Sequence, residues 1–375
     1  MATSTPSPPR TVLVLGAGAS LAEAIKHRPK RDREHPPLDR NFFARTERHV
    51  RAEGHPHSDR AKLLRRVIAR AEKVGQPDLC GSTPSISLEE HLGRLFFDLS
   101  TAASPSNIEA YYDLVRLYNA ELLMTSNWMI AARQNGVIRQ LVQRELRDAS
   151  LSVVTFNHDL LIENAIARLS TARYPGAWCF RHAYGLAANI ETVSDPSDSY
   201  GWTCPGHRDR HVPIFKMHGS CNWVYRTRNE YPSAQVARGD RTLYVWTNKE
   251  LSQSTHMDSA DTSKRGRGKW YMWPLIVPPV YEKHSYITGD LKRIWDAAGD
   301  ALEAATRIIF WGYSFPRADL HARYFFSSIA HRNEAMRSPI LINPDPRSQD
   351  ELWSVVQPRK VSHYRNIGAF LSDTK

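Results

Sequence analysis

The sequence predicts an α/β fold: a doubly wound, mostly parallel, Rossmann-like sheet carrying a helical insertion as a second, smaller subdomain. Three observations predict it. An apolar strand, Val12 to Leu15, runs directly into the turn Gly16-Ala17-Gly18 and then a helix. Further apolar strands, each ending in a polar or Gly-bearing turn, recur at Leu151 to Phe156, in RIIFWGYSF and in SPILINPDP, with helical patterns between them. Between the first two strands, over about 41–148, the periodicity is helical throughout.

Each element follows from its residues. The opening MATSTPSPPR is Pro- and Ser-rich with one late Arg and reads as a disordered tail over 1–10; no apolar run follows that would make a secretory signal. From residue 11 to 375 the chain reads as one domain with insertions. LAEAIKH continues the first helix, and HRPKRDREHPP is charged, Pro-broken and loop-like, leading into Leu38, Asp39 and Arg40. The helical insertion contains DRAKLLRRVIARAEKV, SLEEHLGRLFFDL and IEAYYDLVRLYNAELLMTSNWMIAAR, all with apolar residues three and four apart. Leu151 to Phe156 is a β-branched strand entering NHDLLIENAIARL, where Asp159 stands well for capping a helix. An irregular, aromatic insertion covers about 171–211, and HVPIFKMHGSCNWVY reads as a short strand pair with a Gly turn between. The Ser-, Thr-, Asp- and Lys/Arg-rich stretch 248–269 reads as a mobile loop. DLKRIWDAAGDALEAA and ADLHARYFFSSIA are helices around the strand RIIFW, and SPILI is the last strand. A sheet of this kind binds ligands at the carboxyl ends of its strands.

Composition limits the function classes. Of 375 residues, 41% are hydrophobic and 24% charged, enough to bury a core, and no apolar run approaches the roughly 20 residues a membrane span needs. Four cysteines without a CxxC pair make no disulfide framework, which fits a reducing, cytoplasmic setting. The net charge is +11, and 26–73 alone holds fifteen Lys/Arg against seven Asp/Glu. That segment reads either as a patch for nucleic acid or an acidic partner, or as a solvated helical face with a loop.

The chemistry-bearing clusters all follow strands. Gly16-Ala17-Gly18-Ala19-Ser20 lets backbone approach a phosphate at a helix N-terminus, although Leu21 stands where a third glycine would complete the dinucleotide pattern; tight packing of the turn is the alternative. Four clusters accompany it: Thr155-Phe156-Asn157-His158-Asp159, Lys216-Met217-His218-Gly219-Ser220, Gly312-Tyr313-Ser314-Phe315 and Leu341-Ile342-Asn343-Pro344-Asp345.

In that order and spacing the set resembles the sirtuin-like superfamily. Within it, VLGAGAS, TFNxD, KxHGSxNW and GYSF are more similar to the branch found in prokaryotic antiviral defence than to the deacetylases. The resemblance spans about Thr11 to Asn343 and covers the insertions poorly. The deacetylase zinc ribbon needs two CxxC pairs, which this sequence lacks, so the resemblance implies hydrolysis of NAD+ rather than deacylation.

The resemblance also implies roles. Cleaving the N-glycosidic bond of NAD+ expels nicotinamide as positive charge develops on the ribose, so a group must hold ribose and water with a base nearby. His218 is the expected base or ribose-hydroxyl partner, and Asn157 the expected orienter of water and ribose. Asp159 either sits near the nicotinamide or caps its helix. Gly16, Ala17, Gly18 and Ser20 are expected to cradle the pyrophosphate, Gly312 and Ser314 to line the phosphate and ribose side, and Asn343 to meet the adenosine ribose. Asp39 and Arg40 loosely resemble the loop that closes over NAD+ in sirtuins. No metal is expected in the chemistry. Cys179-x2-His182 and Cys204-x2-His207, with His211 close behind, either hold a structural zinc or are unrelated residues in a chain of 16 histidines. Trp202, Trp223, Trp246, Trp270 and Trp273 are expected in core or interface, with base stacking the alternative.

The function this implies is an NAD+ glycohydrolase yielding nicotinamide and ADP-ribose and depleting NAD+ in antiviral, abortive-infection defence. The alternative is a non-catalytic module that senses NAD or ADP-ribose and regulates a partner. Such hydrolysis needs gating. With the chain's length taken up by core and insertions, gating is expected from a homo-oligomer or from a separate partner, such as a HerA-type ATPase or an Argonaute-like nucleic-acid sensor, with 26–73 a candidate contact surface. No membrane partner is expected.

Overall fold

The computed structural model describes residues 10–27, 41–55, 57–75, 79–81, 86–132, 136–170, 174, 177–178, 183–184, 190–193, 211–227, 243–246, 271–277, 287, 289–317 and 319–373. In chain order the elements begin β1 (Arg10–Leu15), α1 (Ala17–His27), α2 (Phe42–Glu53), α3 (Asp59–Lys73), α4 (Leu88–Thr101), α5 (Pro105–Ala132), α6 (Val137–Asp148), β2 (Ser150–Thr155) and α7 (Leu161–Ser170). Then come β3 (Ile190–Val193), β4 (Ile214–Lys216), β5 (Gly219–Thr227), β6 (Leu243–Trp246) and β7 (Tyr271–Ile276). The chain closes with α8 (Gly289–Glu303), β8 (Arg307–Trp311), α9 (Leu320–Ala330), a 3-10 turn (Glu334–Arg337), β9 (Ile340–Ile342), α10 (Arg347–Val356), β10 (Ser362–Tyr364) and α11 (Ile367–Ser372).

One sheet runs β10-β9-β8-β1-β2-β4, and every pair in it is parallel. Leu13 stands level with Val153 on one side and Ile309 on the other, and all three are fully buried. Burial on both faces is why these strands read as continuous apolar runs rather than alternating ones. The chain steps outward from β1 through β2 to β4, then crosses back to the other side of β1 at β8. The winding therefore reverses between β1 and β8, which makes their carboxyl ends the ligand crevice of such a sheet. Arg10, placed in the tail by composition, is the first residue of β1 and pairs with Ser150.

Two expectations need correction. Both strands expected around Gly219 are present, but they do not pair with each other: β4 completes the parallel sheet, whereas β5 joins a second sheet ordered β3-β6-β5-β7. In that sheet β5 is antiparallel to β6 and β7, and β3 is parallel to β6. Gly219 redirects the chain with φ +78°, and a Cβ there would lie 2.0 Å from the Leu275 carbonyl oxygen, so only glycine makes the change of sheet. The second correction concerns 41–148. Helices α2 to α5 gather Phe42, Phe43, Leu64, Val67, Leu92, Tyr111, Leu114 and Leu117 into a core of their own, but Ile138, Leu141 and Val142 of α6 pack in the core of the parallel sheet. Glu23 of α1 accepts from the Ile138 amide at 2.9 Å and so caps α6 from a distance.

Part of the positive charge of 26–73 is neutralised within the helical unit. Arg60 is 2% exposed and pairs with Glu53 at 2.7 Å and Glu121 at 2.9 Å. Arg66 grips Asp113 with two nitrogens, and Arg70 bridges Asp113 and Glu109 at 2.6 and 2.8 Å. Carboxylates of α5 neutralise charge contributed by α3. The predicted loop 248–269 and residues 28–40 of the basic segment lie outside the described residues, as does most of 171–211. Among the described residues, no helix is long and apolar enough to cross a membrane.

Candidate active site

At the switch point two turns meet backbone to backbone. Gly16 donates its amide to the Trp311 carbonyl and Gly18 to the Gly312 carbonyl, each at 3.0 Å. A Cβ on Gly16 would stand 2.5 Å from the Gly312 oxygen, and one on Gly312, where φ is +67°, would stand 2.2 Å from the Ala19 nitrogen. The glycines are thus required by the packing of the β1 and β8 turns on each other, the alternative left open from the sequence. Gly16 is buried and Gly18 half-buried, so of the expected phosphate cradle it is Ala17, exposed in the first turn of α1, that faces outward.

Beside this pair, the turn after β2 closes onto α1. The Asn157 carboxamide donates to the Gly16 carbonyl at 2.9 Å and to Ser20 Oγ at 3.1 Å, and Ser20 Oγ donates to Asp159 Oδ2 at 2.5 Å. Asp159 Oδ1 accepts from the Leu161 amide at 3.1 Å. Its side chain therefore takes the capping role for α7 as well as anchoring Ser20, and Ser20 is buried rather than presented to a phosphate.

His218 follows β4 on the opposite flank of Phe156, whose ring meets it edge-on with centroids 5.1 Å apart and stacks on Tyr313 at 4.4 Å. Its Nε2 lies 3.5 Å from Oδ2 of Asp319, a carboxylate that is 2% exposed. The same oxygen lies 3.5 Å from the Tyr313 hydroxyl, and Oδ1 faces the Ala322 amide at the start of α9. Burial, and then the Asp319 charge, hold the Tyr313 phenol well above its ordinary range, so it stays a neutral donor. A second imidazole, His158, has its centroid 6.2 Å from that of His218 and meets Tyr118 of α5 edge-on. Phe315, which closes the β8 turn, is fully buried with φ +53°, a conformation costly for a bulky side chain and held by its packing on Phe310 and Tyr313.

Asn343, at the end of β9, uses its side chain to hold the neighbouring turns: Nδ2 donates to the Tyr313 carbonyl at 3.4 Å and Oδ1 accepts from the Asp345 amide at 3.0 Å. Gly312 is half-buried and Ser314 exposed at the β8 end. Asp39, Arg40, Cys179, His182, Cys204 and His207 lie outside the described residues; His211 is described and half-buried. Among the described residues, no cluster of three or more His, Cys, Asp or Glu side chains could hold a metal ion. Trp223 is fully buried against Tyr184, in the core as expected.

The sequence pointed to His158 only as a member of its cluster, without a role, and did not point to Asp319. Asp319 stands at the start of a helical stretch, and its approach to His218 spans about a hundred residues of chain, which no local pattern reports. Nor did the sequence point to the pairing of Lys216 with Glu163, both fully buried behind the Asp159 turn.

No protein-family model matches the chain, and no curated protein matches it. Among solved structures, it is similar to a crystal structure of a Sir2 homologue in complex with NAD, at 14% identity and a TM-score of 0.46 over 96% of this chain and 86% of that one. It is similar also to a triple mutant of a Sir2 homologue in complex with 2′-O-acetyl ADP ribose, at 14% identity and a TM-score of 0.43 over 97% of this chain and 89% of that one. A structure solved for the mechanism and regulation of Sir2 enzymes follows at 12% identity and a TM-score of 0.39, with coverage of 97% and 89%. The fold assignment itself rests on the strand order, which is that of a parallel α/β Rossmann-like sheet with flanking helices.

Proposed function

We propose that the chain is an NAD+ glycohydrolase. Water replaces nicotinamide at the ribose C1′. The electron pair of the broken C–N bond goes to the nicotinamide nitrogen, and the proton lost by water goes to His218. The observations that support this reading are the Asn157 carboxamide on the Gly16 carbonyl, beside the β1/β8 switch point, and a histidine against the Phe156 ring whose Nε2 lies 3.5 Å from the buried Asp319 carboxylate. A neutral amide can orient water without adding positive charge where the ribose acquires it, and the carboxylate favours the protonated imidazole that forms. The crevice suits a dinucleotide: the N-terminus of α1 favours a pyrophosphate near Ala17, and Gly312 and Ser314 flank it from β8. Replacing His218 with Ala should lower kcat for nicotinamide release by about 10²- to 10⁴-fold with the fold retained, and Asp319→Asn by a smaller factor. Turnover unaffected by His218→Ala would overturn the assignment.

The sequence resemblance supports a place in antiviral defence, where depletion of NAD+ halts the infected cell. Because that activity is harmful when continuous, we infer that assembly gates it, as a homo-oligomer or with a partner ATPase or nucleic-acid sensor. Specific activity rising with protein concentration is the expected sign of self-assembly; an activity constant with concentration and unaffected by added partner opposes it.

A further inference from the structure

Behind the Asp159 turn lies an ion pair that the proposed chemistry does not use. Lys216 ends β4, the edge strand of the parallel sheet, level with Thr155 of β2. Its ammonium is fully buried, lies 3.0 Å from Glu163 Oε1 on α7 and donates to the Asp159 carbonyl at 2.5 Å. Glu163 is also fully buried, and its Oε1 accepts from the Tyr184 hydroxyl at 3.3 Å. Tyr184 is in turn fixed by edge contacts with Trp178 and Trp223, at 5.9 and 5.0 Å between centroids. Burial raises the Glu163 carboxyl above its ordinary range, and Lys216 offsets part of that rise. A buried ion pair is weak evidence for stability, because apolar residues of similar volume often replace one without loss. What apolar residues cannot supply is a donor to the Asp159 carbonyl.

We propose that Lys216 is a positioning residue: its ammonium, oriented by Glu163 and Tyr184, fixes the Asp159 carbonyl and thereby sets the Asn157 carboxamide and the Asp159 carboxylate against Gly16 and Ser20. The chain of bonds is continuous, from Tyr184 to Glu163 to Lys216 to Asp159, then through Ser20 to Asn157. It ties the carboxyl ends of β4, β2 and β1 together, and His218 lies two residues beyond the lysine on the same strand end. The catalytic consequence rests on the glycohydrolase reading, whereas the geometric consequence does not.

The test uses the full-length protein with Lys216→Met and Glu163→Gln combined, so that no buried carboxylate is left without its counter-charge. Hydrogen exchange read by mass spectrometry should show the peptide over 155–161 exchanging at least about tenfold faster, while β1 and β8 peptides keep their protection. With NAD+, kcat should fall by about 100-fold with KM within about threefold of wild type, because misplaced groups act on the transition state and leave uniform binding alone. Adding Asn157→Ala to the double variant should then cost little more. Unchanged exchange over 155–161 overturns the positioning role whatever the activity. Faster exchange with an unchanged kcat keeps the geometry and refutes its catalytic use. Faster exchange in a protein whose wild type never consumes NAD+ leaves the positioning claim standing and removes the glycohydrolase reading.

Discussion

The helices inserted between β1 and β2 and the carboxyl edge of the parallel sheet both bury polar groups, and they satisfy them by different means. In the helical unit charge meets charge: Glu121 of α5 is fully buried between Arg60 and His49, and Asp113 is held by Arg66 and Arg70. At the sheet edge charges and dipoles are linked in one network: the Asn157 amide donates to a backbone carbonyl, a serine to a carboxylate, and Lys216 of the buried Lys216–Glu163 pair to the Asp159 carbonyl. In the helical unit the pairs join helix to helix, and at the sheet edge they join strand ends to turns. A helix bundle tolerates fixed ion pairs because nothing has to enter it. At the sheet edge the ion pair orients a backbone carbonyl, and through it a turn, rather than joining one helix to another. The two regions touch where Tyr118 of α5 meets His158.

The largest expected effect lies in the helical unit. Glu121→Leu would leave Arg60 and His49 buried without their shared carboxylate and should destabilise the protein by about 3–5 kcal/mol, read from the midpoint of urea unfolding. A loss below about 1 kcal/mol would mean that the buried charges are not coupled as described. At the sheet edge, Gly312→Ala places a Cβ in the backbone of α1 and forces a positive φ on alanine. We expect a loss of about 2–4 kcal/mol, together with loss of dinucleotide binding, since the two turns can no longer meet.

A pH titration sharpens the contrast. Burial first, and Arg94 second, lower the His91 pKa from 6.5 to about 4. In the folded protein His91 stays neutral down to that value, whereas in the unfolded chain it takes up a proton below 6.5. The unfolded state then binds more protons, so this contribution is fully present above pH 6.5 and is lost as pH falls toward 4. By pH 5 the loss should be about 2 kcal/mol, and His91→Gln should remove that slope. The exposed pair Lys292 and Asp296 on α8 provides the floor: Lys292→Ala should change stability by less than about 0.5 kcal/mol.

What could be read from the sequence was local. Strand, glycine turn and helix are contiguous in Val12 to Ser20, and an apolar run ending in Asn157 or His218 announces itself. The three-and-four spacing likewise announced the helices of α3, α4 and α5. Partnerships between distant residues were not legible: Arg60 and Arg66 looked like free charge because Glu121 and Asp113 arrive from another helix. Asp319 carried no signal of its own because its partner His218 comes from a different strand. The second sheet escaped notice because β3 and β6 are four residues each, set in polar stretches. β10, with the sequence Ser-His-Tyr and all three residues half-buried, carries no apolar run at all.

The most direct test of the central claim is product analysis by mass spectrometry after incubating the protein with NAD+ in ¹⁸O-labelled water, alone and in lysate that can supply an activating partner. We expect nicotinamide and ADP-ribose carrying one labelled oxygen from wild type, with neither product from Asn157→Ala or His218→Ala. Wild type that binds NAD+ under every condition and leaves it intact would overturn the glycohydrolase assignment and make the sheet edge a sensing site.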